Sequence, residues 1–417
     1  MFQLDPAFVA PAYDGRSFAA LPRSIAGLLT GRQPILLAPD ALPGRAAPYG
    51  AVLLIVVDGF GWRFVEPRLS YYPALQRFAQ AGRATKFTAQ FPTTTAAHVT
   101  TLQTGQEVGQ HGVYEWQYYE PEVGAVVTPL LYSYAGTKER EQLRKAKIDP
   151  RRILPTRTLY QDLAELGVRT TIFQHREYLQ STYTEALLTA AQPVGHRMLA
   201  EALVNVRQAL ARAEAPAYFV LYYDRIDMLA HEYGPNSPHV AAEIDLFLTA
   251  LERHLLAVLA PQQDTLVLLT ADHGFMETDP ATCVYINLDE RFAGYERYLV
   301  KDDKGRPREP AGSARDYFLY VDDARLDEAQ AFFAERLAGV AQVARTADLA
   351  AAGFFGSQPP SDALRARLGN LVILPYHGKT VWWYEKERFE QRFYGHHGGL
   401  TRQELEIPLL ALAIPRT

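Results

Sequence analysis

The chain has 417 residues, of which 48% are hydrophobic and 21% are charged, with a formal net charge of −5 and an isoelectric point near 6.1. These values are ordinary for a globular protein and leave room for one large α/β domain or two smaller ones. They exclude a strongly basic face for nucleic acid or for an anionic membrane surface.

A single cysteine, Cys283, excludes an intrachain disulfide. The N-terminal residues lack the basic segment followed by an apolar one that marks a secretory signal. No apolar run approaches the roughly 20 residues of a membrane span. We therefore expect a soluble, cytoplasmic protein that binds no membrane.

Short apolar runs that end in polar residues alternate with helical patterns along the chain. The apolar runs, typical of buried parallel strands, are Ala51–Val57, Arg169–Phe173, Ala217–Tyr223, Thr265–Thr270 and Leu371–Leu374. The helical patterns cover Tyr72–Ala81, Leu159–Leu166, Met198–Ala213 and Val240–Leu259. This alternation predicts an α/β fold with a doubly wound, mostly parallel sheet flanked by helices.

Two stretches interrupt the alternation and are predicted to be insertions into a single domain that spans residues 1–417. Residues 116–155 are rich in tyrosine, proline and charge, and we expect them to form a surface insertion near the functional site. Residues 283–386 contain a predicted strand, a helix and a second strand, which indicate a small α/β cap. These elements are Tyr317–Val321, Leu326–Leu337 and Val340–Arg345.

Acidic residues lie just past the ends of three of the predicted strands. Asp58 follows the first strand, Asp224 and Asp227 follow Ala217–Tyr223, and Asp272 follows Thr265–Thr270. Because ligands of doubly wound sheets bind beyond the carboxyl ends of the strands, we expect these side chains to lie close together. Taken singly, each aspartate is equally consistent with the cap of a helix or a turn.

Histidines accompany two of these aspartates and recur near residue 400. The segments are DRIDMLAHEYGP with Asp227 and His231, LLTADHGF with Asp272 and His273, and YGHHGGL with His396 and His397. A spacing of four residues on a helix puts two side chains on one face, where both can reach one ion. The pattern alone does not decide which histidine of the GHHGG segment is a ligand.

The segment FPTTTAAHVTTLQTG places threonines before a predicted helix, Ala96–Leu102. A threonine there lies near free backbone N–H groups and the positive end of the helix dipole, although a simple N-cap explains it as well. A hydroxyl nucleophile must lose its proton, and coordination to a divalent metal promotes that loss. Three carboxylates, three imidazoles and one hydroxyl suffice for two divalent metals, an arrangement typical of phosphoryl transfer.

Together and in this order, the segments VVDGFG, FPTTTAAHVTTLQTG, D-x-x-x-H-x-x-GP, ADHG and HHGG resemble the alkaline phosphatase superfamily. The branch they resemble most is the type I phosphodiesterase / nucleotide pyrophosphatase family. The resemblance implies an alkaline-phosphatase-like catalytic core that binds two divalent ions. The mixed histidine and aspartate ligands favour Zn²⁺, with Mn²⁺ as an alternative.

The resemblance also implies a role for each matching residue. One ion would be held by Asp58, Thr95, Asp272 and His273, and the other by Asp227, His231 and His397. The family's nucleophile occupies the fifth position of an F-P-T-x-T motif, which is Thr95 here. A covalent phospho-threonine intermediate would then form and be hydrolysed.

Two positions depart from the nucleotide-hydrolysing branch. An aromatic residue follows the nucleophile in that branch, whereas this chain has Ala96. The phosphate-binding asparagine of the family falls at Trp116, within HGVYEWQYY. We therefore predict that Trp116 and Tyr114 contribute to a different, aromatic substrate pocket. Ordinary packing at the insertion explains these aromatic residues equally well.

The sequence thus predicts a two-metal phosphoric-ester hydrolase that acts on a small-molecule phosphate ester. A phosphomonoesterase or phosphonate hydrolase on the same core is the first alternative, and an inactive relative that binds a phosphorylated ligand is the second. A sulfatase is disfavoured because the C/S-x-P-x-R element is missing from the nucleophile segment. No nucleic-acid partner is expected, and the oligomeric state stays open.

Overall fold

The structure is a computed structural model that describes residues 2–44, 48–259, 264–302 and 304–414. The strands are β1 (Ala51–Val57), β2 (Arg83–Thr88), β3 (Tyr118–Glu120), β4 (Ala125–Thr128), β5 (Ser133–Tyr134), β6 (Arg169–His175), β7 (Ala191–His196), β8 (Ala217–Tyr223), β9 (Thr265–Thr270), β10 (Met276–Glu277), β11 (Val284–Tyr285), β12 (Ala311–Ser313), β13 (Asp316–Leu319), β14 (Ala341–Arg345), β15 (Leu371–Pro375), β16 (Val381–Trp382), β17 (Gly395–His396) and β18 (Glu406–Ile414). The α-helices are α1 (Ala20–Thr30), α2 (Trp62–Val65), α3 (Pro73–Ala81), α4 (Thr95–Thr104), α5 (Val108–His111), α6 (Gln142–Lys145), α7 (Leu159–Glu165), α8 (Thr182–Leu187), α9 (Leu199–Arg212), α10 (Arg225–Tyr233), α11 (Pro238–His254), α12 (Leu326–Arg336), α13 (Thr346–Ala351), α14 (Asp362–Arg367) and α15 (Arg402–Leu405).

A seven-stranded sheet in the order β2-β18-β9-β1-β8-β6-β7 forms the centre of the described chain. The pairs from β9 to β7 are parallel, and β18 runs antiparallel to both of its neighbours. Strands β1 and β9 are buried along their whole length, as expected where helices cover both faces of a sheet. The prediction of a mostly parallel sheet flanked by helices is confirmed.

Helices pack in two groups around this sheet. Helix α11 packs on α3, α9 and α10, and α4 packs on α1, α5, α7 and α8. Local signals fix where several of them begin: Thr158 and Gln161 form a capping box at α7, and Ser237 caps α11 ahead of Pro238. Within the described ranges, no helix is both long enough and apolar enough to span a bilayer.

Residues 283–386 contain a separate antiparallel sheet in the order β12-β13-β15-β14, with α12 packed against β14. The prediction that Leu371–Leu374 is a buried parallel strand is therefore wrong about its pairing. It forms β15 in the middle of this second sheet. A fully apolar run indicates burial on both faces but does not determine the direction of its neighbours. We refer to residues 283–386 as the cap and keep its boundaries as a prediction.

Residues 116–155 contain a small antiparallel sheet, β3-β4-β5, and the helix α6. Val126 and Ala135 from this stretch join the hydrophobic core of the cap, which is centred on residues such as Phe292, Phe333 and Tyr317. The two inserted stretches are thus packed against each other.

Candidate active site

The carboxyl ends of β9, β1 and β8, which are neighbours in the sheet, bring the three predicted aspartates together. Asp58 follows β1 directly, and its N–H donates to Tyr223 O at 2.8 Å. Gly59 has φ +71°, and its N–H donates to Asp272 Oδ1 at 3.1 Å. A β-carbon on Gly59 would lie 2.5 Å from the Phe275 ring, so a glycine is required for this turn.

Asp58, Asp272 and His273 form a first group of potential ligands, which we call the inner group. His273 Nε2 lies 3.4 Å from Asp58 Oδ1 and 3.5 Å from Asp272 Oδ2. Thr95, the first residue of α4, places its Oγ1 3.1 Å from His273 Nε2 and 3.5 Å from Asp58 Oδ1. Asp272 Oδ2 accepts no hydrogen bond from the described residues although it is buried. The inner group therefore leaves oxygen and nitrogen lone pairs directed at one point.

Asp227, His231 and His397 form a second group, the outer group. Asp227 Oδ1 lies 3.5 Å from His231 Nε2 and 3.7 Å from His397 Nε2. The two Nε2 atoms of His231 and His397 are only 3.1 Å apart. His396, the other histidine of the pair at 396 and 397, is not part of this group.

The Nδ1 atoms of all three histidines face backbone carbonyls. His231 Nδ1 lies 2.9 Å from Gly395 O, His273 Nδ1 3.1 Å from Gly274 O, and His397 Nδ1 2.8 Å from Thr93 O. A carbonyl only accepts, so each Nδ1 carries the proton and each Nε2 keeps a lone pair. Two lone pairs 3.1 Å apart repel each other unless a cation lies between them. The outer group therefore fits a metal ion, and backbone acceptors of this kind are the usual orienting partners of metal-bound histidine.

The electrostatics of the site lead to the same conclusion. Burial raises the pKa of Asp58 well above its ordinary value, and the charges of Asp227 and Asp272 raise it further. Burial and the charge of Asp272 likewise raise the pKa of Asp227. Burial lowers the pKa of His231 and of His397 well below the usual range. Neutral imidazoles and mutually repelling carboxylates form a donor set that divalent cations stabilise.

A hydroxyl just before Thr95 links the nucleophile segment to the segment that carries His397. Thr93 Oγ1 donates to Gly399 O at 2.9 Å and accepts the N–H of Gly398 at 3.0 Å. His98 Nε2 accepts the Gln90 N–H at 2.8 Å, so its Nδ1 donates to Thr94 O, also at 2.8 Å. Burial lowers the pKa of His98 to about 4, which keeps the ring neutral in this role. Thr93 and His98 both lie in the FPTTTAAH segment, but the partners of Thr93 are about 300 residues away in sequence and cannot be deduced from the spacing.

Two further contacts of the site have no sequence signal that would have revealed them. The Tyr222 hydroxyl donates to Asp58 Oδ2, on the side of that carboxylate away from Thr95. Arg315, in the cap, forms a fully buried bidentate ion pair with Glu404 at 2.9 and 2.8 Å. Glu404 Oε1 also accepts the Gly399 N–H at 3.0 Å, so the cap holds the loop that follows His397.

The two predicted substrate-binding aromatic residues differ in exposure. Tyr114 is completely buried, stacks on Tyr118 with centroids 5.2 Å apart, and donates to Arg367 O at 3.5 Å. This burial favours the packing alternative, and the assignment of Tyr114 to a substrate pocket stays an untested prediction. Trp116 is 41% exposed, and its substrate role stays a prediction. Its N–H donates to Glu115, a buried carboxyl group.

A mostly parallel sheet holds two carboxylate–imidazole groups at its strand ends, beside a threonine at a helix start, as expected for a phosphate-ester hydrolase of the alkaline phosphatase superfamily. Within it, the chain belongs to the type I phosphodiesterase / nucleotide pyrophosphatase family, whose sequence model matches residues 52–400. The family is metal-dependent and typically uses two divalent ions.

Solved structures show the same fold. Murine ectonucleotide pyrophosphatase / phosphodiesterase 5 is 16% identical, with 87% of each chain covered and a TM-score of 0.58, and an inactive form of it has been solved with AMP. Phosphonoacetate hydrolase from Sinorhizobium meliloti 1021, in complex with phosphonoacetate, is 18% identical with a TM-score of 0.60. That comparison covers 89% of this chain and 92% of the hydrolase. No curated protein matches the chain.

Proposed function

We propose that this enzyme hydrolyses small-molecule phosphodiesters, with two divalent cations in the inner and outer groups and Thr95 as the nucleophile. The observation that carries the proposal is the position of Thr95 Oγ1, 3.1 Å from His273 Nε2 and 3.5 Å from Asp58 Oδ1 at the start of α4. This hydroxyl is thus in contact with potential ligands while it lies at a helix N-terminus, where backbone N–H groups favour an anionic phosphate.

The donor set of the two groups matches the charge that the reaction requires. Asp58, Asp272, His273 and Thr95 would hold one cation, and Asp227, His231 and His397 the other. When bound, the cations lower the pKa of the Thr95 hydroxyl and offset charge on the phosphate oxygens. Three aspartates and one threonine alkoxide balance two divalent cations, so an anionic substrate enters without strong repulsion. The two histidines of the outer group favour zinc there.

Thr95 acts in two successive displacements. Its Oγ1, with its proton lost to solvent, forms a bond to phosphorus while the bond from phosphorus to the leaving oxygen breaks. The leaving alcohol takes a proton from water. A water molecule then attacks the phosphorus of the Thr95 ester, which releases the phosphate product and returns a proton to Oγ1.

A phosphonate or phosphomonoester hydrolase on the same core is the second candidate. One observation favours it over a nucleotide hydrolase. Ala96 is fully buried, so no aromatic ring adjoins the nucleophile from that position.

Hydrolysis of 4-nitrophenyl substrates tests the proposal. The panel contains a phosphomonoester, a methyl phosphodiester, the thymidine phosphodiester and a phosphonate monoester, each with added zinc or manganese. We expect turnover of the methyl diester to be fastest, to stop with a chelator and to be absent in Thr95→Ala. Thr94→Ala is the matched control, because its hydroxyl is one residue away in the same segment.

Three other outcomes would change the assignment. Faster turnover of the monoester or the phosphonate would favour the second candidate. Undiminished activity of Thr95→Ala would contradict the covalent route. A metal-loaded protein that hydrolyses no member of the panel would indicate a phosphate-binding relative without catalysis.

A further inference from the structure

The outer group is the open side of the candidate active site. The side chains of Asp227, His231 and His397 are 18%, 18% and 11% exposed. Those of Asp58, Asp272 and His273 in the inner group are at most 5% exposed. A substrate therefore meets the outer group and the half-buried Thr95 first, and the more exposed outer group offers room for a part of it that extends into solvent.

An aromatic side chain lies at this opening. The Phe393 ring is 4.6 Å from the His231 ring, centroid to centroid, with 47° between the planes, and it is 43% exposed. Met228, one helical turn before His231 on α10, is also 43% exposed. Phe393 thus contacts the outer group and offers its surface to solvent, and the exposed Met228, whose sulfur accepts from Arg225 Nη1 at 3.5 Å, follows Asp227 in the chain.

The backbone of Phe393 is held firmly. Its carbonyl accepts from Thr278 Oγ1 at 2.8 Å and from Gln391 Nε2 at 3.1 Å, and its N–H donates to Gln391 Oε1 at 3.1 Å. The next residue, Tyr394, donates its N–H to His231 O at 2.9 Å. The ring is therefore presented in a fixed place. A preorganised apolar surface loses little conformational entropy when a ligand covers it.

The chemistry proposed above determines which part of the substrate meets this surface. Thr95 contacts the inner group, so attack on phosphorus begins there. In an in-line displacement the leaving oxygen departs on the side opposite to the nucleophile. Since the nucleophile lies beside the inner group, the leaving oxygen faces the outer group. The organic group attached to that oxygen then lies beside His231, within reach of Phe393.

We propose that Phe393, together with Met228, binds the apolar organic group of the leaving alcohol. The favoured substrates are phosphate esters of aryl or long alkyl alcohols. This inference rests on the proposed function, because it requires that the outer group faces the leaving oxygen. Phe393 is a specificity-determining residue in this scheme, and its ring contacts the substrate.

A series of methyl 4-alkylphenyl phosphates tests the inference. Their leaving phenols have nearly equal acidity, so the intrinsic chemistry stays constant while the apolar surface of the leaving group grows. We expect kcat/KM of the wild type to rise by about twofold to fourfold per methylene. Phe393→Ala should flatten this dependence, with the loss in kcat/KM growing from the shortest to the longest member, and Phe393→Leu should retain most of the dependence. Val258→Ala, equally exposed but located before the amino end of β9, should behave as the wild type.

A purely structural role of Phe393 gives a different pattern. If the ring only supports His231, Phe393→Ala lowers kcat/KM equally along the series and weakens zinc retention. Such parallel loss, or a wild-type series that does not depend on chain length, overturns the inference and leaves the proposed function standing. A zinc-loaded wild type that cleaves neither this series nor the 4-nitrophenyl panel overturns both.

Discussion

The imidazole rings of His273 and His397 stack face to face, with their centroids 3.6 Å apart and their planes 16° from parallel. His273 belongs to the inner group and His397 to the outer group, so this stacked pair of rings connects the two candidate ion sites. Each ring is oriented by a different backbone carbonyl, Gly274 O and Thr93 O. A change that displaces one ring therefore disturbs both groups.

Removal of one outer ligand should change metal content by about one ion. His231→Ala removes a nitrogen from a three-residue group, whereas the inner group keeps all of its side chains. We expect zinc retained after dialysis to fall from two ions to one per chain, measured by elemental analysis. His239→Ala, a surface histidine that stacks on Tyr233, is the control and should keep both ions. Equal loss in the two variants would argue against the outer site.

Acid quenching during turnover should trap a phosphoryl group on Thr95. The proposed route passes through a Thr95 phosphoester, and Thr95→Ser keeps a hydroxyl at this position while the other groups stay unchanged. With the methyl phosphodiester as substrate, we expect mass spectrometry of peptides to locate a methyl phosphoryl group on residue 95 in the wild type and in Thr95→Ser. Thr95→Ala should carry none and should lose at least about a thousandfold in kcat. The same group on residue 93 or 94 instead would reassign the nucleophile.

Removal of one partner of the buried ion pair between Arg315 and Glu404 should strongly lower the stability of the protein. Both side chains are fully buried, and Glu404 also accepts the Gly399 N–H and the Thr401 hydroxyl. Arg315→Met leaves this carboxylate without its charge partner, which should lower the free energy of unfolding by about 3–5 kcal/mol. Urea denaturation measures this quantity.

An exposed ion pair offers the matched control for Arg315→Met. Arg157 and Asp162 are each 50% exposed, and Arg157→Met should change the free energy of unfolding by less than about 1 kcal/mol. Similar values for the two variants would show that the Arg315 pair does not fasten the cap to the loop after His397.

Stability should depend on pH through Glu115. Burial raises the pKa of Glu115 to about 8, from 4.5 in the unfolded chain, and burial and the charge of Glu115 also raise the pKa of Asp316. Between pH 4.5 and about pH 8, Glu115 keeps a proton in the folded protein that it has lost in the unfolded chain. The free energy of unfolding therefore falls as the pH rises through this window, by up to about 1.4 kcal/mol per pH unit.

Glu115→Gln removes that titration and keeps an acceptor for the Trp116 N–H. Its stability relative to the wild type should increase steadily from about pH 5 to about pH 8. Urea denaturation at several pH values, with zinc at constant excess, measures the difference. A difference that stays constant across this range would show that Glu115 is ionised in the folded protein.

Much of the core could be predicted because its signals are local. Strands β1, β8 and β9 match the predicted runs at both ends, since each has an uninterrupted apolar centre and a polar residue within two positions of its end. The same strand ends supplied Asp58 and Asp272 as candidate residues. The FPTTT, D-x-x-x-H, ADHG and GHHGG segments supplied the remaining ones through the family resemblance.

Elements that depend on tertiary contacts were missed. Strand β7 contains Pro193 and Gly195 and lies at the edge of the sheet, where proline is tolerated, so its sequence does not read as a strand. Strand β2, at the other edge, is largely polar. The partners of Thr93, Arg315 and Phe393 are far away in sequence, and neither periodicity nor spacing reveals such contacts.

The place of β18 in the sheet has a consequence for synthesis of the protein. This strand comes after every other described strand but lies between β2 and β9, and His397 precedes it by only nine residues. A chain emerging from the ribosome therefore cannot close its sheet until residues up to 414 are free of the exit tunnel. The outer group, which needs His397, is completed in the same late step. Uptake of the second ion would thus report that the nascent chain has finished folding.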